Sequence, residues 1–173
     1  MTQTLIPAYL DGQLCPVEKL KAHRLGLRHK AVSVFVLRRG NLLLQQRALG
    51  KYHTPGLWAN TCCTHPHWGE APLDCAKRRL AEELGLPGLN PFSCGQVHYR
   101  AEVGGGLIED EDVSLFKLDA PEDLEPVPNP EEVLDTRWVE IADLEAEISR
   151  SPEKFTPWLR IYLAEHRHLI LGD

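Results

Sequence analysis

PLDCAKRRLAEELG, Pro72–Gly85, is the stretch on which the fold turns. Proline suits the first turn of a helix, where its missing N–H costs no bond, and Gly85 followed by Pro87 ends one. Between these punctuation marks Leu73, Ala76, Leu80 and Leu84 recur at spacings of three and four, which predicts a helix over 72–84 with one apolar face. Arg78, Arg79, Glu82 and Glu83 ride on the same helix, and Arg79 is a helical neighbour of both Glu82 and Glu83. Read alone, this is a solvated helix with ordinary ion pairs.

Upstream lies RALGKYHTPGLWANTCCTHPHWGE, Arg47–Glu70, punctuated by Gly and Pro and dense in His, Cys and Trp. A long ordered loop of this kind is more often functional than neutral. Before it, AVSVFVL (Ala31–Leu37) reads as a buried strand and Leu42–Gln46 as a second, joined by a turn at Arg38–Asn41 into a hairpin. Downstream, segments around Phe92–Ala101, Asp112–Leu118 and Val133–Glu140 read as strands, and Ile141–Ser149 and Phe155–His168 as closing helices. Residues 1–30 read as an irregular polar segment, and the Pro- and acid-rich Asp119–Glu132 as a solvated surface loop. This order, with hairpins rather than regular βα alternation, predicts a mixed α/β (α+β) sandwich in a single domain, 1–173.

Length and composition agree with that reading. The chain has 173 residues, 43% hydrophobic and 25% charged, a globular balance. The formal charge is −6 and no long basic run occurs, so nucleic-acid binding is set aside as the primary role. The start lacks a basic n-region followed by an apolar run, and no apolar stretch approaches the ~20 residues that span a bilayer, so a cytoplasmic location away from membranes is expected. Five cysteines are an odd number, and in a reducing compartment they stay thiols. Cys15, Cys75 and Cys94 read as packing residues.

The chemistry-bearing residues fall in three places. The loop carries Trp58, Asn60, Cys63 and His65, a Cys two residues before a His; in isolation this is equally a buried thiol beside a surface imidazole. Glu109 and Glu111 follow the Gly104–Gly106 triplet, and strand alternation points both to one face. His23 and His29 lie in the N-terminal segment, where their spacing alone proves nothing. Three imidazoles and two carboxylates suit Zn²⁺, Mn²⁺ or Fe²⁺. His53 and His67 read as surface or loop residues, His98 as facing away from Tyr99, and Trp58 as either core or a water-excluding wall.

The loop and helix together resemble the Nudix signature, a box that binds a divalent metal on a diphosphate. Glu70, Arg78, Leu80, Glu82, Glu83 and Gly85 match its pattern. Thr64 stands where its first Gly belongs, and Arg79 where a hydrolase carries a metal-binding Glu, which puts diphosphate hydrolysis in doubt. The chain further resembles the type I isopentenyl diphosphate:dimethylallyl diphosphate isomerases, which share that fold. It carries their W-x-N-x-x-C-x-H-P at Trp58–Pro66, R-R-x-x-x-E-L-G at Arg78–Gly85, Y-R-A at Tyr99–Ala101, E-x-E at Glu109/Glu111 and F-[ST]-P-W at Phe155–Trp158. Each is weak alone; five in register are specific.

The resemblance implies a Nudix-type α/β/α sandwich and an isomerase of isoprenoid synthesis that shifts a C=C bond through a carbocation. Cys63 and Glu111 would be the opposed acid/base pair, with Tyr99 hydrogen-bonded to Glu111. His23, His29, His65, Glu109 and Glu111 would hold a first metal, Mn²⁺ or Zn²⁺. Lys19, Arg47, Lys51 and Arg79 would hold the diphosphate, with Mg²⁺ bridging it to Glu83. Trp158 would face the cation. The partner is then a small allylic or homoallylic diphosphate, and the enzyme a monomer, or else a dimer. Two alternatives stand beside this: a Nudix hydrolase of a nucleoside or other diphosphate, and a catalytically silent diphosphate- or metal-binding protein.

Overall fold

The computed structural model describes residues 4–172. The chain opens with β1 (Leu5–Leu10), β2 (Gln13–Glu18) and α1 (Lys19–Leu25), then β3 (Arg28–Arg38), β4 (Asn41–Arg47), β5 (Trp58–Ala59) and β6 (Cys62–Thr64). Helix α2 (Pro72–Leu84) follows, then β7 (Phe92–Glu102), β8 (Ile108–Asp119) and β9 (Val133–Glu140). Helices α3 (Ile141–Arg150), α4 (Pro157–Glu165) and α5 (Arg167–Leu171) close it. The strands form one mixed sheet built around β3, which pairs in parallel with β8 and antiparallel with β6, β4 and, at Ala8↔His29, β1. Antiparallel β7–β8 and β4–β9 pairs extend the two sides. Among the described residues no helix is long and apolar enough to cross a membrane.

Alternation along β3 divides the molecule into layers. Val32, Val34 and Val36 pack with Leu43 and Phe116 under Cys75, Ala76, Leu80 and Leu84 of α2. Ala31 and Phe35 turn to the opposite face, where Val113, Leu115, Leu159 and Tyr162 complete the second core. The result is the expected sandwich with helices on both faces. Each fully buried leucine contributes about 2 kcal/mol by leaving water.

Helix α2 runs over the span that its Pro and Gly mark out. Gly85 ends it in the left-handed region (φ 62°), its N–H bonded to Ala81 O at 3.1 Å. A Cβ there would lie 2.6 Å from Val127 O, so both conformation and contact require glycine. The apolar face is rotated from the expected one: Leu73 is exposed, and Cys75 is buried instead. Arg78 grips Glu70 with two bonds (2.6 and 2.8 Å), and Glu70 also accepts the His67 N–H at 2.8 Å, tying the loop's end to the helix. Arg78 thereby holds the Glu70 carboxyl down at about 2, against 4.5 for an unpaired one. The stabilisation is present above about pH 4.5 and lost as pH falls towards 2. Glu70→Gln is expected to cost about 1 kcal/mol at pH 7, or roughly 2–4 °C in Tm. In thermal unfolding the gap to the parent should narrow below pH 4.5; a gap unchanged at pH 3 would count against the pairing.

Three segments differ from the sequence reading. Residues 1–3 of the segment read as irregular lie outside the described residues, and 4–30 are ordered elements: β1 and β2 form a hairpin about Asp11–Gly12 (φ 50° and 78°), and Glu18 caps α1 by accepting from the Leu20 and Lys21 N–H groups. Asp119–Glu132 is more than a solvated loop, since Val127 N–H and Asn129 N–H bond to Leu84 O and Glu83 O at the end of α2. Phe155–His168 is not one helix: Phe155 bridges to Trp58, α4 begins at Pro157, and the chain breaks at His166.

Candidate active site

Strand register builds one row of functional side chains on a single sheet face. His29 of β3 stands opposite Glu111 of β8, which stands opposite Tyr99 of β7. Glu109, two residues from Glu111, shares that face, and the Tyr99 hydroxyl lies 2.7 Å from Glu109 Oε2 and 2.8 Å from Glu111 Oε2. A second row pairs Ser33 of β3 with Cys63 of β6. Because β6 alternates, Cys62 points into the core beneath α2, while Cys63 lines the cleft with Tyr99, Glu109, Glu111 and Trp158. The adjacent thiols, inseparable by composition, thus sit in different layers.

Cys63 Sγ lies 2.9 Å from Asn60 Oδ1 and 3.1 Å from Ser33 Oγ, which in turn meets the Tyr162 hydroxyl at 2.9 Å. Burial pushes the Cys63 thiol well up, the charge of Glu111 adds to this, and the Ser33 and Asn60 contacts only partly offset it. Cys63 is therefore a protonated thiol at neutral pH.

The imidazoles arrive from four places. His23 stands on α1 with Nδ1 2.7 Å from Lys19 O, and His29 Nδ1 lies 2.6 Å from Leu27 O, leaving each Nε2 aimed inward. His29 Nε2 and His65 Nε2 lie 3.3 and 2.8 Å from Glu111 Oε1. His23, His29, His65 and Glu111 offer donor atoms all within 4.8 Å of one another, and so do His23, His53 and Glu109. All are buried. His53 is thus a correction: it was expected at the surface, but it is 5% exposed and within the cluster. Burial, then the Arg47 charge, holds its imidazolium form down to about 2, and burial with His29 lowers His23 to about 4. Burial and the Glu111 charge raise Glu109 well above the carboxylate range. Burial also opposes ionisation of Glu111, but hydrogen bonds from His29 and His65 outweigh it and lower that group. Burial keeps His23, His53 and His65 neutral, while burial of His29 is outweighed by its hydrogen bond to Glu111, which raises it. Imidazoles beside carboxylates, with His53 Nε2 and His65 Nδ1 lacking hydrogen-bond partners among the described residues, fit a divalent metal.

The same cleft is lined by four cations, Lys19, Arg47, Lys51 and Arg79, and burial among them lowers Lys19 to about 8. Arg79 bonds to Glu82 (2.9 Å), Glu83 (2.5 Å) and Glu132 (3.2 Å); Lys51 also pairs with Glu132. Glu132, assigned to a solvated loop by the sequence, is therefore part of this network. Glu83 is 3% exposed and also accepts from Gln45 Nε2 at 2.7 Å. Gln45 is a site neighbour that no motif singled out. Arg47 donates to His53 O at 3.1 Å and lies 5.3 Å from the centre of the Trp158 ring, which is almost fully buried. Trp58 does not line the cleft; it packs against the core, with Arg137 4.6 Å from its ring. His98 faces outward to Asp110 (2.7 Å), and His67 is exposed.

Comparison with known proteins agrees with this geometry. The NUDIX domain model matches residues 27–159. A protein of Cereibacter sphaeroides named isopentenyl-diphosphate Delta-isomerase is 62% identical over 168 residues, 97% of this chain and 95% of its own length. One of the same name from Rhodobacter capsulatus is 60% identical over 170 residues, covering 98% and 97%. Among solved structures, a Deinococcus radiodurans protein superposes with a TM-score of 0.71 at 16% identity, covering 95% of this chain and 96% of that one. A MutT NUDIX hydrolase from Burkholderia pseudomallei gives 0.61 at 22% identity over 80% and 97%. These two likenesses concern the fold alone. With a family model over most of its length and relatives near 60% identity end to end, the chain belongs to the isopentenyl-diphosphate Delta-isomerase family of NUDIX-domain proteins.

Proposed function

We propose that this chain interconverts isopentenyl diphosphate and dimethylallyl diphosphate, using Cys63 and Glu111 as its two proton-handling groups. The observation that carries this reading is that a protonated thiol and a carboxyl group line the same cleft as four cationic side chains. A double-bond shift needs a proton delivered to one carbon and another removed two carbons away; two acid/base groups facing one substrate supply both. At neutral pH Cys63 carries its proton, while Glu111, with two imidazoles against it, is charged. In one direction the thiol gives and the carboxylate takes; in the reverse direction the roles exchange. Tyr99 holds Glu111 Oε2, leaving Oε1 to His29 and His65.

Lys19, Arg47, Lys51 and Arg79 are read as the diphosphate clamp. To grip phosphate oxygen, Arg79 exchanges its bonds to Glu82 and Glu132 for bonds to substrate, while Glu83 lies beside it to meet the Mg²⁺ that accompanies a diphosphate. Trp158 offers its ring to the tertiary cation formed by protonation, an attraction of about 2 kcal/mol or more when desolvated. A divalent ion held by His23, His29, His65, Glu109 and Glu111, manganese or zinc on the chemistry of those donors, supplies Lewis acidity that polarises the Glu111 carboxyl. The whole chain is read as one domain whose N-terminal segment contributes His23 and His29.

Incubation with isopentenyl diphosphate and Mg²⁺ tests this. Dimethylallyl diphosphate without released phosphate is the expected result. Phosphate release would favour a diphosphate hydrolase, a reading that Arg79 disfavours. Neither product would leave a silent binding protein.

A further inference from the structure

His53 lies in the connection between β4 and β5, outside every motif that relates this chain to its family. Its ring is enclosed by His23 (centroids 5.6 Å apart), Tyr52 (4.2 Å) and Trp158 (5.8 Å). Nδ1 lies 3.0 Å from Thr54 Oγ1. Nε2 lies 3.2 Å from Glu109 Oε1, is fully buried, and forms no hydrogen bond with the described residues. A histidine retained only for packing would have both nitrogens satisfied or wet, because leaving a buried polar atom unpaired is costly. The next residue, Thr54, adopts a left-handed backbone (φ 46°), which is unusual for a β-branched side chain. The Arg47 guanidinium holds the His53 carbonyl at 3.1 Å. The loop is thus held in a costly shape that aims the imidazole inward.

The donor atoms form two sets, His23/His29/His65/Glu111 and His23/His53/Glu109, which share His23. His23 has one nitrogen to give, since Nδ1 is occupied by Lys19 O at 2.7 Å. One lone pair serves one ion. The two sets therefore cannot hold two ions at once, and the shared His23 puts a single ion within reach of both, although the six donors, not all within 4.8 Å of one another, must close on it.

We propose that His53 is an additional ligand of the metal centre, on the Glu109 side, completing a six-donor shell of four imidazoles and two carboxylates. The proposal rests on reading the His/Glu cluster as a metal centre. On binding, the His23–Tyr52 contact at 3.4 Å gives way to the ion. Such a nitrogen-rich shell discriminates against Mg²⁺, which prefers oxygen donors and retained water.

Co²⁺ is the probe, since its visible absorption strengthens as coordination number falls below six. The chelated protein is reloaded with Co²⁺ alone, and affinity is measured by competition with a chromophoric chelator. His53→Ala is expected to bind Co²⁺ at least about tenfold more weakly than the parent and to show a more intense visible band. His65→Ala should weaken binding as well, and the exposed His67→Ala should change neither readout. Parent affinity and parent spectrum in His53→Ala would overturn the assignment. Weaker binding with an unchanged spectrum would also overturn it, because the ring would then act only by positioning Glu109. If His65→Ala too leaves Co²⁺ affinity unchanged, the metal-centre reading fails with it. Should the chelated His53→Ala protein unfold early, His53→Leu fills the space without a ligand atom and carries the same expectations.

Discussion

Cys63→Ala is expected to lose isomerisation by about 10³-fold or more in kcat, whereas Cys62→Ala keeps kcat within about twofold. The first figure follows from removing a general acid/base, worth roughly 10²–10⁴-fold, which corresponds to about 4 kcal/mol of barrier at its middle. Nothing nearby replaces the thiol: Ser33 and Tyr162 are hydroxyls already bonded to one another, and Asn60 carries no proton that it can release. Cys62 lies in the other core layer against Val34 and Leu80, so truncating it leaves a small cavity and lowers stability by about 1–2 kcal/mol without reaching the cleft. Steady-state assays with isopentenyl diphosphate, beside thermal melts of both variants, separate the two effects. The reverse pattern, activity retained in Cys63→Ala and lost in Cys62→Ala, would sink the assignment. A second readout follows from the raised Cys63 thiol. Its alkylation by iodoacetamide should not accelerate through pH 8–9, where an ordinary thiol becomes nucleophilic.

Much of this arrangement is legible in the sequence, for reasons that differ from element to element. Helix α2 announces itself because Pro72, Gly85 and an apolar period all agree, and β3 because a valine-rich run at the sheet's centre is apolar on both faces. The Glu109/Glu111 pairing follows from strand alternation alone. The first hairpin is harder to read, since Pro7 and Pro16 sit opposite each other in its strands and proline argues against a strand except near an edge. Asp11-Gly12, a favoured hairpin turn, was the signal that could have found it. The choice between Cys62 and Cys63 depends on which strand β6 joins, a long-range fact that local sequence does not encode. His53 is the clearest case. Its burial comes from a loop folded over α1 and α4, so neither periodicity nor a motif marks it.

Chelation is expected to abolish isomerisation, with no recovery on adding Mg²⁺ alone, and to lower the melting temperature by roughly 8–16 °C. Stripping the ion leaves four imidazoles and two carboxylates buried together, with nitrogens of His53 and His65 unpartnered. A ligand present at about 1,000 times its Kd stabilises the native state by about 4 kcal/mol, and in a chain of this length each kcal/mol moves Tm by about 2–4 °C. The loss should concentrate at the N-terminal segment. Ile6, Ala8, Val17 and Ala22 form a small core of their own, and β1 meets β3 in register only at Ala8↔His29. His23, on α1, is then a main tie between that segment and the sheet once an ion joins it to His65 and Glu111 from β6's end and β8. Amide exchange across α1 should therefore quicken on chelation more than across α2, whose apolar face stays packed. Mg²⁺ alone restores the substrate-borne ion but not the imidazole-rich site, because its preference is for oxygen. Full activity with Mg²⁺ alone, or a melting temperature indifferent to chelator, would show that the His/Glu cluster does its work without a second metal.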